Sequence, residues 1–230
     1  MKRRHILLSI CSLLPCMVFA QNNGSLAGRV TLTRALNETP EINSRQIIRQ
    51  YSLASGRYGD PLQATNDMPV EIIVSLNSKN SQPGSKKETA PRHVVMDQKN
   101  ERFVPHMLAI ERGTEVRFLN SDSIYHNVFS LSQAKSFDLG RYPRGKYRSV
   151  LFDKAGLVKV YCDIHTHMSA YVLVLDTPFF MATQQDGRFA FDDIPAGRYE
   201  LVARYGSWQS TPLEIVIEAG KTARIELTLP

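Results

Sequence analysis

The chain has 230 residues, of which 28 are Lys or Arg and 22 are Asp or Glu. Three of the cations lie within the first four residues, where no carboxylate is present, so the rest of the chain has only a small positive excess. That excess argues against a nucleic-acid-binding protein, which needs a strongly basic face. The apolar fraction of 43% is enough for a hydrophobic core, and the length favours two small domains over one.

Residues 1–20 have the pattern of a secretory signal peptide. A cationic start precedes an apolar run, and the small Ala20 predicts cleavage directly after it. Acylation of Cys16 is the alternative, but Pro15 stands where a small residue is needed. The sequence therefore predicts a periplasmic or otherwise secreted protein. No later apolar run is long enough to predict a transmembrane helix in the mature chain.

Cys162 is the one cysteine that is left after removal of the signal peptide, because Cys11 and Cys16 are cleaved off with it. In an oxidising compartment a lone thiol cannot form an internal disulfide and is prone to oxidation unless it is held in place. An inert, buried cysteine is one interpretation and a metal ligand is the other. The residues around Cys162 favour the metal ligand.

Apolar and polar residues alternate with a period of two from Leu26 to the C terminus, which predicts an all-β protein. Residues 33–68 lack clean periodicity. The polar segment 77–91 contains Pro and Gly and predicts a solvated linker. The predicted strands are 26–32, 69–76, 93–98, 114–120, 126–131, 157–162, 170–176, 188–191, 198–203, 213–218 and 223–229.

Four potential metal ligands lie in two short segments. Cys162 ends the predicted strand 157–162 on the same face as its valines, so the thiol points into the core. His165 and Met168 follow at intervals of three, and His126 opens another predicted strand. Two imidazoles, a thiolate and a weak axial thioether are the ligands of a mononuclear blue-copper site, with zinc as the competing ion. The sequence predicts that these four residues bind one copper ion.

The run from His93 to Asp176 resembles a cupredoxin domain. It is similar in particular to amicyanin, whose Cys-x-x-His-x-x-Met loop has the same spacing as YCDIHTHM. The segment FVPHMLAIERGTEVRFLNSDSIYHNV also resembles three cupredoxin strands. The resemblance implies a Greek-key β-sandwich over residues 92–177.

The same resemblance implies a role for each site residue. His126, Cys162 and His165 would be equatorial ligands, and Met168 would be the axial ligand. Asn127 would join the two ligand-bearing loops by hydrogen bonds. This chain departs from amicyanin at Thr166 and His167, where amicyanin has Pro and an aromatic residue, and the departure concerns the exposed rim of the site.

The segment DGRFAFDDIPAGRYELVARY and the strand that ends the chain resemble a small transthyretin-like, carboxypeptidase regulatory-like β-sandwich. Residues 183–230 are short for this sandwich, whose first strands resemble 26–32 and 69–76. We therefore predict a discontinuous domain of 24–76 and 178–230, with the copper domain inserted; the alternative is a domain of 178–230 alone. The pairing of the two modules resembles exported methylamine utilisation proteins. The predicted core positions are Phe189, Phe191, Tyr199, Leu201, Ile225, Leu227 and Leu229.

Several other residues near the predicted site have two interpretations. His106 is expected to be a hydrogen-bonded structural histidine rather than an extra ligand. His167 alternates away from Met168, which favours a surface position at the rim, although it could replace Met168 as a ligand. Four cations flank a predicted turn and are expected to form a solvated face. A docking patch for an acidic redox partner is the less favoured interpretation. The cations are Arg141, Arg144, Lys146 and Arg148.

The leading functional hypothesis is single-electron transfer to a partner protein through the copper ion. Copper binding for delivery or sensing is a second hypothesis, and a structural envelope module with a vestigial site is a third. An enzyme is not expected, because multicopper oxidases need further His-x-His pairs and no catalytic Ser/His/Asp or carboxylate pair stands out.

Overall fold

The computed structural model describes residues 22–33, 71–79 and 93–229. The predicted signal peptide and most of both the 77–91 linker and the 33–68 segment lie outside these ranges. The predicted all-β class is confirmed, because every regular element in the described ranges is a strand. The strands are β1 (Asn23–Leu32), β2 (Ile73–Ser78), β3 (His93–Gln98), β4 (Phe103–Val104), β5 (Met107–Glu111), β6 (Thr114–Asn120), β7 (His126–Ser132), β8 (Lys135–Tyr142), β9 (Tyr147–Phe152), β10 (Gly156–Tyr161), β11 (Ser169–Leu175), β12 (Phe180–Ala182), β13 (Arg188–Pro195), β14 (Gly197–Tyr205), β15 (Trp208–Gln209), β16 (Leu213–Ile217) and β17 (Thr222–Leu229).

Strands β3–β11 form two sheets, which we call the central sandwich. One sheet has the order β5-β11-β10-β7-β8 and the other has the order β4-β3-β6-β9. The period-two pattern of the sequence fixes which face of each strand is buried; in β6 every second residue is buried and its neighbours are half-buried. The inward faces meet in one core, which contains Phe118, Val128, Val158, Val160 and Cys162.

The pairing of β7 with β10 positions the predicted ligands. The two strands are antiparallel, and Tyr161 at the end of β10 pairs with Phe129 in the middle of β7. Antiparallel neighbours bring the first residues of one strand beside the last residues of the other. His126 opens β7, and Cys162 directly follows β10, so both segments lie at one end of the same sheet.

Strands β1, β2 and β12–β17 form a second pair of sheets, the outer sandwich. Strand β1 lies between β13, which is antiparallel to it, and β17, which is parallel. Strand β2 lies between β12 and β14 and is antiparallel to both. Strands that precede the central sandwich in the chain therefore pair with strands that follow it. The predicted core residues of this part lie in its core, with Ile225 partly buried.

The two sandwiches share an apolar contact along the edge strand β5. Ile73 of the outer sandwich packs with Met107 and Leu173 of the central sandwich, and all three are buried. The backbone N–H of Met107 donates to Glu71 Oε2 at 2.9 Å, and the N–H of Gly206 lies 3.3 Å from Met107 Sδ. An exposed strand edge invites aggregation, so the outer sandwich protects this edge.

Some strands were not predicted from the sequence, and some boundaries differ. Strands β8 and β9 were missed. In β8, Phe137, Leu139 and Tyr142 do not keep a period of two, and Gly140 interrupts the strand at a φ of 66°. Strand β2 begins later than predicted and reaches Ser78, inside the expected linker. Strands β12 and β15 were also not predicted, whereas β4 and β5 lie in the segment FVPHMLAIE, which the cupredoxin resemblance covers.

Deletion of residues 178–230 tests the predicted inserted arrangement. The deletion removes both neighbours of β1 and both neighbours of β2, so the buried Leu26, Val30 and Leu76 lose their cover. We expect the N-terminal part to aggregate or to be degraded rapidly, as measured by limited proteolysis with mass spectrometry. As a control, a fragment spanning 93–176 should fold and bind metal, because it contains all strands of the central sandwich.

A stable unit of 24–176 together with an independently folded 183–230 fragment would contradict this arrangement and support the alternative of a separate C-terminal domain.

Candidate metal centre

Three of the four predicted ligands lie together at the end of the β7–β10 pair. Nδ1 of His126 is 3.0 Å from Nδ1 of His165, and Sγ of Cys162 is 3.9 Å and 3.7 Å from these two atoms. In the described part of the chain, these residues form the one group of three or more His, Cys, Asp or Glu side chains that could hold a metal ion.

The size of this triangle fits one metal ion. The point equidistant from the three donor atoms lies about 2.1 Å from each, which matches metal bonds of roughly 2.0–2.1 Å to imidazole nitrogen and 2.3 Å to thiolate sulfur. The two ring nitrogens and the sulfur are therefore already placed at bonding distance from a common point. Small movements of the side chains are enough to receive an ion.

The surrounding fold buries the donors unequally. Cys162 and His126 are fully buried, whereas His165 is half-buried. Cys162 belongs to the same core cluster as Val158 and Val160, which confirms the inward face predicted for the thiol. The centre thus has a water-excluding floor and one ring that reaches toward solvent.

Asn127 connects the two ligand-bearing segments. Its Oδ1 accepts a hydrogen bond from the backbone N–H of Asp163 at 3.3 Å, and its own backbone N–H points at Cys162 Sγ, 3.5 Å away. Its Nδ2 donates to Asp138 Oδ1 at 2.6 Å, which fixes the orientation of the amide. The expected linking role of Asn127 is therefore confirmed by these contacts.

Asp163, next to Cys162, forms a contact that the sequence did not indicate. Its carboxylate is fully buried and lies 3.3 Å from Nη2 of Arg141. Arg141 is exposed, as the sequence suggested, but its guanidinium also contacts this buried carboxylate. Arg148 also has a specific neighbour, because its guanidinium lies 5.9 Å from the ring centre of Tyr142. Arg144 and Lys146 are exposed, as expected.

Asp122 was also missed, although it lies four residues before His126. Its Oδ2 is 2.8 Å from His126 Nε2. Burial raises the pKa of the Asp122 carboxyl, but the hydrogen bonds from the backbone of Glu101, from His126 and from the backbone of Asn100 outweigh it and leave the pKa below its usual value. A carboxylate near a histidine is a common pattern around metal ligands, which was the available signal in the run SDSIYH.

Met168 closes the loop that begins at Cys162. Its backbone N–H donates to the carbonyl of His165 at 2.9 Å, and its carbonyl accepts from the N–H of Cys162 at 3.3 Å. The side chain is buried in the same core cluster as Cys162. The tight turn thus keeps thioether, imidazole and thiol in one short segment. The axial role of Met168 stays a prediction.

His167 and His106 lie outside the group of three donors. Nε2 of His167 is 3.5 Å from Glu101 Oε2, and its side chain is only 14% exposed. His167 is therefore more covered than the expected surface position, because it lies against the turn between β3 and β4. The ring of His106 packs edge-on against Tyr171, with the centroids 5.5 Å apart, and burial lowers the pKa of His106.

Electrostatics favour neutral side chains before a metal ion enters. Burial raises the pKa of the Cys162 thiol, opposed by backbone N–H groups of Asn127, His165 and Ile164, and the carboxylate of Asp163 raises it further. Burial and the neighbouring His126 ring lower the pKa of His165. At neutral pH the thiol therefore holds a proton that a metal ion has to displace, whereas His165 is already uncharged.

Comparisons with known proteins give similarity to solved structures only. No protein-family model matches the chain, and no curated protein matches it. A purple cupredoxin from Nitrosopumilus maritimus matches with a TM-score of 0.32 and 24% identity, over 36% of this chain and 99% of that one. A reduced amicyanin mutant matches with a TM-score of 0.35 and 20% identity, over 44% of this chain and 99% of that one.

A third similar structure is a Cu-containing nitrite reductase from Thermus scotoductus, with a TM-score of 0.35 and 19% identity. This match covers 52% of the chain and 30% of the reductase. All three TM-scores are below 0.5, so these similarities do not indicate a function for this chain.

The raised pKa of Cys162 predicts proton release on metal binding. Zn(II), which has no redox chemistry, should release one proton from the thiol per ion bound near neutral pH, so its affinity should rise about tenfold per pH unit. Isothermal titration in buffers of different ionisation enthalpy measures this release. The variant Cys162→Ser serves as the control and should not release the thiol proton.

Zinc affinity that does not change between pH 6 and 8, measured for the unmodified chain, would contradict a protonated thiol at the centre.

Proposed function

We propose that this protein binds one copper ion through His126, Cys162, His165 and Met168 and transfers single electrons. The observation that carries the proposal is the triangle of two Nδ1 atoms and one Sγ atom around a point at bonding distance. Two imidazoles with one thiolate suit both Cu(I) and Cu(II), whereas structural zinc sites usually have more thiolates or no thioether. Bound copper would supply the one-electron couple.

The protein's own contribution is to hold the donors still and to exclude water. His126 and Cys162 are attached to adjacent strands, and the hydrogen bonds of Asn127 connect them. Donors that are fixed by strands and buried hydrogen bonds move little when the charge at the centre changes. The half-buried His165 is the donor nearest to solvent, so we propose it as the side through which a redox partner exchanges electrons.

A carrier that delivers copper is disfavoured by the burial of the centre. Delivery needs donors that a recipient can reach, whereas Cys162 and His126 are fully buried. Within the ranges that the structure describes, one candidate group of metal ligands is found, and we propose an electron carrier rather than an enzyme.

We propose that the outer sandwich, with its carboxypeptidase regulatory-like pattern, is a scaffold for the copper domain, and that the chain acts with a redox partner after export. A relation to exported methylamine utilisation proteins belongs to the same proposal. Among the residues that the structure describes, no helix is long and apolar enough to cross a membrane.

The visible spectrum tests the copper centre. Loading with Cu(II) should give an intense sulfur-to-copper charge-transfer band, because a thiolate bound to Cu(II) donates charge to it. Cys162→Ser should abolish the band, and His165→Ala should weaken or abolish it. His106→Ala is the matched control and should keep the band, because this ring lies outside the group of three donors.

A colourless Cu(II) complex of the unmodified chain would rule out the blue-copper centre and leave the carrier hypothesis. A complex that is intensely coloured but consumes nitrite or oxygen with turnover would instead favour an enzyme.

Substitution of Met168 tests the axial ligand. Met168→Leu should keep copper and colour while raising the reduction potential, because loss of a weak donor disfavours the more highly charged Cu(II). We expect a rise of about 59 mV or more, which corresponds to a tenfold change in the ratio of Cu(II) to Cu(I) affinity. Protein-film voltammetry measures it.

The matched control is Met96→Leu, because Met96 is also fully buried in the core of the central sandwich. It should leave the potential unchanged. Equal shifts in both variants would show that the effect comes from core packing rather than from an axial bond.

A further inference from the structure

Asp122 contacts the His126 ring on the side opposite to the other donors. Nδ1 of His126 is 3.0 Å from His165 Nδ1, whereas its Nε2 is 2.8 Å from Asp122 Oδ2. The ring therefore has one nitrogen directed into the metal centre and the other directed at a carboxylate. The side chain of His126 is completely buried.

The Asp122 carboxylate is itself held by the turn between β3 and β4. Its Oδ1 accepts from the N–H of Asn100 at 2.6 Å, and its Oδ2 accepts from the N–H of Glu101 at 2.8 Å. Both turn residues have a left-handed backbone, with φ values of 55° and 54°. Reciprocal hydrogen bonds between Lys99 and Arg102 close the same turn.

This pattern of contacts assigns the hydrogen on His126. Both oxygens of Asp122 accept N–H groups from the backbone, as an ionised carboxylate does, and such a group has no hydrogen to donate. The short contact with His126 therefore requires the hydrogen to be on Nε2. In the neutral ring the lone pair of Nδ1 then faces the donor group, which is the form that a metal ion needs.

We propose that Asp122 is a positioning residue of the metal centre. It holds His126 in the Nε2–H form with Nδ1 directed at Cys162 and His165, and its negative charge favours the higher oxidation state of the bound ion. The first part concerns the protein alone, and the second part rests on the proposed copper function.

The effect of Asp122 on the oxidation state follows from electron donation through the hydrogen bond. A carboxylate that accepts from the remote N–H makes the imidazole a stronger donor and partly compensates the added charge of Cu(II). Loss of such a partner commonly lowers metal affinity by about 10- to 100-fold. The Cu(II) state should lose more than the Cu(I) state, so removal of the charge should raise the potential.

NMR of the ring nitrogens in the metal-free full chain tests the first part, in which Asp122 holds His126 in the Nε2–H form. In the unmodified chain His126 should show one form, with hydrogen on Nε2 only. Asp122→Asn keeps an acceptor oxygen and should keep this form, whereas Asp122→Ala should shift the ring toward the Nδ1–H form. If Asp122→Ala leaves the ring in the Nε2–H form, the first part of the proposal is wrong.

Voltammetry of the copper-loaded full chain tests the second part. Asp122→Asn should lower the ratio of Cu(II) to Cu(I) affinity by about tenfold, which is a rise of about 59 mV in the potential. Glu101→Gln is the matched control, because it removes a nearby negative charge but keeps the backbone N–H that binds Asp122. It should shift the potential by less than half as much.

A double variant distinguishes the effect of the Asp122 charge on the potential from a role of Asp122 in ordering the turn. Asn100→Gly favours the left-handed backbone that the turn already has, so the turn then depends less on Asp122. Asn100→Gly combined with Asp122→Asn should keep the raised potential of Asp122→Asn. A return to the potential of the unmodified chain would overturn the second part.

The two measurements also separate this inference from the copper proposal. If the unmodified chain lacks the charge-transfer band, the copper proposal and the second part fail together, and the NMR result still decides the first part. If the band is present but Asp122→Asn and Glu101→Gln shift the potential equally, the second part alone fails.

Discussion

The hydrogen bonds of Asn127 hold the start of β7 to the loop after β10, and the geometry of the centre depends on them. The side-chain oxygen of Asn127 accepts from the N–H of Asp163, and the backbone N–H of Asn127 points at Cys162 Sγ. His126 and Cys162 are far apart in sequence, so bringing their donors within bonding distance of one point has an entropic cost. Strand pairing offsets part of this cost, because Tyr161 already lies opposite Phe129. Asn127 then removes the freedom that remains at the strand ends, where backbone pairing stops.

A rigid centre of this kind needs a sandwich whose edges are protected. Strand β5 lies at the edge of the sheet that carries the donors, and the outer sandwich covers it through Ile73 and the carboxylate of Glu71. The outer sandwich is itself formed by strands from both sides of the central one, so the two sandwiches are connected by two chain crossings as well as by packing.

The sequence was sufficient for the features that depend on local pattern. The alternation in 114–120 and 157–162 predicted the inward faces of β6 and β10, and the spacing of Cys162, His165 and Met168 predicted a compact loop. Some contacts between residues that are distant in the sequence were not predicted. Asp122 has ordinary spacing from His126, and its role becomes visible only when the turn at Asn100 lies beside it. The contact of Arg141 with the buried Asp163 likewise needs the folded β7–β8 pair.

The two histidines of the centre have different surroundings, and this difference divides their roles. His126 is completely buried and has a carboxylate behind it, so it is suited to setting how strongly the centre favours one charge state. His165 is half-buried, and its ring lies 6.1 Å from that of His167 at the side nearer to solvent. In the proposed electron carrier, exchange with a partner would depend on distance and contact at this side of the centre. Changes behind His126 should therefore act on the potential, and changes around His165 and His167 should act on the rate of exchange.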